Sequence, residues 1–131
     1  MIIKLPFKTP TINLMYATFN GNRVKSKIAK ELSKEVKEIV LNAETTIIKG
    51  ELSVSIEIHS NWYNQNGTIK IRDLANLEKF ITDSIFAELN EMDDKQIFKL
   101  VMEKIQSNEE FALIKIEGVK NENNKRIRKR N

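Results

Sequence analysis

The stretch RDLANLEKFITDSIFAELNEMDD, residues 72–94, sets a core-facing helix beside a row of polar groups. At helical spacing Leu74, Leu77, Phe80, Ile81 and Ile85 share one face, which predicts a helix from about Asp73 to Leu89 lying on a core. Asn76, Lys79 and Asp83 fall within about 60° of one another along the edge of that face. An acidic pair, Asp93 and Asp94, follows the helix. Plain structural duties can account for these groups. Asp73 is placed to cap the helix, and Lys79 and Asp83 have the i,i+4 spacing of a surface ion pair.

The flanking segments supply the rest of a fold. Leu52–His59 alternates, with Leu52, Val54, Ile56 and Ile58 inward and Ser53, Ser55, Glu57 and His59 outward, as in a half-buried strand. His59 reads as a surface histidine on the polar side rather than a ligand. Ile2–Phe7 is a short apolar strand closed by prolines, and Phe111–Glu117 is another strand. Asn20-Gly21 is a turn signal between two strand-like pieces. Ser26 can cap a helix to about Asn42, with Ile28, Leu32, Val36 and Ile39 at helical spacing. The polar loop 60–69 carries Trp62 and Tyr63, which either fold over the core edge or stand free to stack on bases. Periodicity does not decide between helix and strand for Ile97–Ile105.

Composition narrows the chemistry. The 131 residues, 40% hydrophobic and 31% charged, suit one α/β (α+β) domain with a single core. No apolar run is long enough to span a bilayer, so no membrane partner is expected. The N-terminus lacks the features of a secretion signal, and a cytoplasmic protein is expected. Without cysteine, and with one histidine, there is no thiol nucleophile and no Cys- or His-rich metal site. Any metal would sit among carboxylates, which favours Mg²⁺ or Mn²⁺. The net charge of +4 is concentrated at the end of the chain: Lys120–Arg130 holds six basic residues against one glutamate. A disordered basic tail over 120–131 that neutralises phosphates, led by Lys125, Arg126 and Arg128, is one reading, and a merely solubilising end is the other.

Two separated motifs carry a resemblance. R-D-L-A-N-L-E-K, then Asp83, then D-D at 93–94 resembles the central motif of the RusA-type Holliday-junction resolvases, D-x-D-N-x-x-K with a further Asp and a D-D pair at matching distances. P-T-I-N-L-M-Y (Pro10, Asn13, Tyr16) resembles that family's opening motif, and Arg23–Ser26 fits the segment entering its first helix. The resemblance covers roughly residues 3–117 and leaves out the tail. It implies a single domain over 1–119 with a mixed β-sheet flanked by two main helices, at 26–42 and 73–89, and with Ile97–Ile105 a strand. It further implies a homodimeric, bacterial or phage-encoded endodeoxyribonuclease. Such an enzyme cuts four-way DNA junctions with Mg²⁺, Mn²⁺ being the alternative, and no organic cofactor.

The same resemblance assigns residues. Asp73 and Asp94 carry over as metal-binding, catalytic carboxylates and Lys79 as the essential lysine. Asp93 is a further candidate ligand and Asp83 an acid supporting the ligands, with structural duty open for both. Asn13, Tyr16, Lys70, Arg72 and Asn76, together with the tail, are candidates for DNA contact. One position departs from the pattern: Ala75 stands where the family has its middle aspartate. An engineered substitution, a natural variant compensated by Asp93 or another acid, and a protein that kept junction binding but lost cleavage all fit. Convergence of residues 73 and 75 on one ion would require the helix to begin at about Asn76.

Overall fold

Leu52, Val54, Ile56 and Ile58 are buried while the residues between them are half-exposed, so the expected alternation is that of a central strand with one face in the core. A computed structural model of the protein describes residues 1–119. Its elements are β1 (Ile2–Leu5), α1 (Ile12–Met15), β2 (Tyr16–Phe19), β3 (Asn22–Lys25), α2 (Lys27–Asn42), β4 (Leu52–Ser60), α3 (Leu74–Phe86), β5 (Ile97–Gln106) and β6 (Phe111–Gly118). A single 3₁₀ turn, Asp94–Gln96, leads into β5. Four strands form a mixed sheet in the order β1-β6-β4-β5, with β4 and β5 parallel and the other pairs antiparallel. A parallel pair needs a crossover, and α3 provides it. None of the helices among the described residues is long and apolar enough to cross a membrane.

The core lies between the sheet and α2 and α3. From the sheet it takes Ile3, Leu5, the inward row of β4, and Ala112, Ile114 and Ile116; from the helices it takes Ala29, Val36, Val40, Leu77, Phe80, Ile81 and Ile85. Ser26 caps α2 by accepting a hydrogen bond from the Ala29 amide at 3.1 Å, as its sequence position predicts. The face of α2 is rotated from the expected one. Ala29 is buried and Ile28 is 53% exposed, because burying Val36 and Val40 sets the stripe one residue further on. In the β2–β3 hairpin Asn20 and Gly21 both take positive φ, at 51° and 77°. That two-residue turn pairs Phe19 with Asn22 and Tyr16 with Lys25.

Several boundaries differ from the sequence reading. The first strand stops at Leu5, before Pro6, and the segment before Tyr16 forms the short helix α1 where a strand-like piece was expected. The helix α3 ends at Phe86, three residues early, because turns over the next residues return Leu89 and Met92 to the core. It begins at Leu74, as its spacing predicts, so residue 75 lies inside the helix and not in the irregular segment that convergence of residues 73 and 75 on one ion requires. The strand β5 forms where periodicity was equivocal. As an edge strand it leaves Phe98, Leu100 and Val101 exposed, and an irregularity opposite Leu52/Ser53 interrupts its pairing beside Phe98. Trp62 is buried and Tyr63 is 48% exposed, so the two aromatics of the loop divide between the two readings. The tail, with Lys125, Arg126 and Arg128, lies outside the described residues.

Phe80 is fully buried and meets Phe7 edge to face at 6.2 Å between ring centroids. Phe80→Ala should therefore lower unfolding free energy by about 3–5 kcal/mol in a denaturant titration. Ile71→Ala, at a 98% exposed site, should stay within about 0.5 kcal/mol of wild type.

Candidate functional site

The burial of Leu77, Phe80, Ile81 and Ile85 fixes the rotation of α3, and that rotation presents one polar row to solvent. Ala75, Lys79 and Asp83 follow at i, i+4 and i+8, so they stack turn over turn along the helix. The Lys79 ammonium sits 3.2 Å from Asp83 Oδ2. The hydrogen bond the lysine donates to Asp83, and then that carboxylate's charge, raise the lysine pKa, with Tyr16 and Glu78 adding to the effect. Tyr16 lines one depression together with Asp83 of this row, α1 packing on α3 beside it, and Arg23 lies over its ring at 4.3 Å. Two motifs distant in the chain thus meet on one face.

The acidic pair meets the other end of the row. Asp83, Phe86, Ala87, Met92, Asp93 and Asp94 line one shallow depression at the C-terminal end of α3. The two neighbouring aspartates have different duties. Asp93 caps the 3₁₀ turn: its Oδ1 accepts from the Lys95 amide at 2.9 Å, while its own amide donates to Gln96 Oε1 at 2.7 Å. Gln96 in turn donates to the carbonyls of Ile48 and Gly50, tying the acidic turn to the segment before β4. The Lys95 amide, followed by a hydrogen bond with Asp94, holds the Asp93 pKa low. The same bond to Asp93 raises Asp94, with slight desolvation and the charges of Asp93 and Asp83 adding, against the opposing charge of Lys79. Asp94 is exposed, and its carboxylate bonds no backbone group among the described residues, although its carbonyl accepts from the Ile97 amide.

Asp73 is not part of this group. It holds the N-cap position with extended backbone, yet its carboxylate makes no capping hydrogen bond, so the expected cap is absent and the carboxylate is not used by the helix. About 15 Å of helix separates it from Asp83. The Asp73–Asp94 pairing on one ion is therefore not made within a single chain, because a straight helix holds the two apart. Among the described residues no three acidic or histidine side chains stand close enough to enclose a metal ion. The donors present fit Mg²⁺ in its usual manner, as an ion that keeps several waters and touches one or two carboxylates. Asp94 and Asp83 are the ones that fit: both line the same depression, and the Asp94 carboxylate is crowded by Asp93 and Asp83.

The DNA-contact candidates separate in the same way. Asn13 is exposed, and Asn76 and Lys70 are half-buried. Arg72 is tied into the fold instead: its Nη1 donates to Ser60 Oγ at 3.1 Å and its Nη2 to the Thr9 carbonyl at 3.0 Å, with the guanidinium over the Trp62 ring. Burial lowers its pKa and Glu110 partly offsets this. Trp62 is held further by Lys104 on its ring and by its own Nε1 donating to the Ile105 carbonyl. Two basic residues that the sequence reading did not single out as contacts, Arg23 and Lys25, stand beside Tyr16. The Asn-Gly turn carried the signal, because a two-residue turn sets Lys25 opposite Tyr16.

Comparison with known families agrees with this architecture. A family model described as endodeoxyribonuclease RusA matches residues 6–117. No curated protein matches the chain.

Asp93→Ala should lower the melting temperature by a few degrees, since it removes the cap of the 3₁₀ turn. Asp94→Ala should leave the melting temperature unchanged or slightly raised, because it relieves repulsion and breaks no backbone bond. Paired thermal melts monitored by circular dichroism check the difference.

Proposed function

The chain belongs to the RusA endodeoxyribonuclease family, whose members resolve Holliday junctions, and on that premise we propose that it is itself a divalent-metal-dependent, structure-selective endonuclease acting on four-way DNA junctions. The observation that carries this reading is the meeting of Tyr16, Lys79, Asp83 and Asp94 along one exposed flank. Phosphodiester hydrolysis needs positive charge at the non-bridging and leaving oxygens and a place for a cation. A Mg²⁺ or Mn²⁺ ion, when bound, supplies an activated water and charge neutralisation. Asp94 and Asp83 would hold it, with Asp93 supporting Asp94; Asp73, at the other end of the helix, is not among its ligands. Lys79, kept charged and oriented by Asp83, meets the phosphate oxygens. Arg23, Lys25 and Lys70 neutralise backbone phosphates, while Asn13, Asn76 and the Tyr16 hydroxyl donate hydrogen bonds that set register without reading sequence. The basic tail, with Lys125, Arg126 and Arg128, adds salt-dependent affinity of the same sequence-independent kind. A homodimer places two such sites about a two-fold axis, matching the symmetry of the junction.

A second reading has a specific observation in its favour. Ala75 removes a carboxylate from the row it shares with Lys79 and Asp83, and no three-acid group remains among the described residues. That would leave a protein which binds junctions and does not cut them.

The two readings part on a synthetic four-way junction incubated with the full chain and Mg²⁺ or Mn²⁺. The enzyme reading expects paired symmetric nicks, none in linear duplex, and loss of about 100-fold or more in rate for Lys79→Ala. Ala75→Asp, exposed in the first helical turn and about 12 Å of helix from Asp83, is sterically free to be made. It should leave cleavage nearly unchanged if Asp83 and Asp94 hold the ion, and a rise of about tenfold or more would place the ion nearer Lys79 instead. A retarded but uncut junction with both wild type and Ala75→Asp would establish the binding reading instead.

A further inference from the structure

The segment between β4 and α3 carries apolar side chains that the fold does not use. Its two arms are joined by the Tyr63↔Ile69 antiparallel bridge and by the Asn64 amide donating to the Thr68 carbonyl at 2.8 Å and the Lys70 amide to the Trp62 carbonyl at 2.8 Å. Directly paired residues of a ladder point to one face, so Trp62 and Lys70 lie on the side opposite Tyr63 and Ile69. The inner side is fixed: Trp62 is buried between Arg72 and Lys104 and bonded to the Ile105 carbonyl. The tip is fixed as well, by Asn66 accepting from the Thr68 amide and hydroxyl and by Gly67 at φ +85°. On this stiff mount Tyr63 is 48%, Ile69 65% and Ile71 98% exposed. Ile71 is two residues from Asp73, at the end of the polar row on α3.

We infer that this hairpin is a wedge that sets Tyr63, Ile69 and Ile71 against the bases at the branch point of a DNA junction. The inference rests on the junction-binding function proposed above and adds the part of the surface that recognises the branch. Apolar side chains are driven out of water by unstacked base faces, which a continuous duplex does not offer and an open crossover does. Lys70, between Ile69 and Ile71 but on the other face of the ladder, supplies charge for a phosphate beside the wedge and not in front of it. A second copy of the chain is the other occupant to weigh. Three side chains provide only a fraction of the roughly 800 Å² per partner that a stable interface buries. The rigid mount also suits a wedge, which must unstack bases without itself yielding.

The test uses the full chain and a four-way junction with 2-aminopurine beside the crossover, in Ca²⁺ to permit binding without cleavage. Wild type should raise the fluorescence as the base unstacks. Tyr63→Ser/Ile69→Ser/Ile71→Ser, and to a lesser degree Ile71→Ser alone, should abolish the rise and weaken junction binding about tenfold. Affinity for linear duplex and the melting temperature should be unchanged. Equal fluorescence and affinity in wild type and triple variant would overturn the wedge while leaving the parent function standing. Loss of dimer mass in the triple variant by light scattering would assign the face to a second copy and overturn it too. A wild type that binds no junction would remove both the wedge and the parent function.

Discussion

The burial of one stripe of α3 against the sheet is the constraint on which the rest depends. Leu77, Phe80, Ile81 and Ile85 leave the helix a single rotation about its axis, and that rotation places Ala75, Lys79 and Asp83 in line on the open side. The ends are pinned by different chemistry. Before the N-terminus, Arg72 gathers Ser60, Thr9 and the Trp62 ring. Beyond the C-terminus, Met92 returns to the core and Gln96 anchors the acidic turn to the backbone at Ile48 and Gly50. A helix held at three points is a suitable scaffold for side chains that must meet a phosphate within a fraction of an ångström.

Charges along this flank divide between holding the protein and acting on something outside it. Arg72 and Asp93 spend their hydrogen bonds on the fold. The Lys79 and Asp94 side chains make no such bonds to the backbone among the described residues, and neighbouring carboxylates shift both: the hydrogen bond to Asp83 and then its charge raise the lysine, and the hydrogen bond with Asp93, then slight desolvation and charge, raise Asp94. The crowding of Asp94 by Asp93 and Asp83 is relieved by a bound cation, and Lys79 carries the positive charge that a phosphate would meet. That contrast, rather than the mere presence of acids, separates this flank from an ordinary solvated helix face.

Much of the architecture was legible because its signals are local. The alternation of Leu52–His59, the Asn20-Gly21 turn and the Ser26 cap each act within a few residues, and each formed where the sequence places it. The match of residues 6–117 to one family agrees with the resemblance carried by the two motifs. What the sequence hid depends on distance in space. Spacing shows that Asp73 and Asp94 flank a helix but not that the helix keeps them apart. Residue type marks Arg72 as a phosphate contact, yet only the fold brings Ser60 and the Thr9 carbonyl to it. Trp62 and Tyr63 are adjacent and alike in composition, and the ladder sends them to opposite faces. β5 was ambiguous because an edge strand with exposed apolar residues lacks a clean period of two.

We propose that the working end of the row lies at Asp83 and Asp94, with Lys79 above them. Titrating the isotopically labelled full chain with Mn²⁺ and following paramagnetic broadening of its amide resonances tests this most directly, without any substrate. Broadening at the lowest Mn²⁺ should centre on the amides of Asp83, Ala87 and Asp94 and spare residues remote from them. Broadening that begins elsewhere and leaves Asp83 and Asp94 sharp, or that appears at no site before it is uniform, would contradict the account.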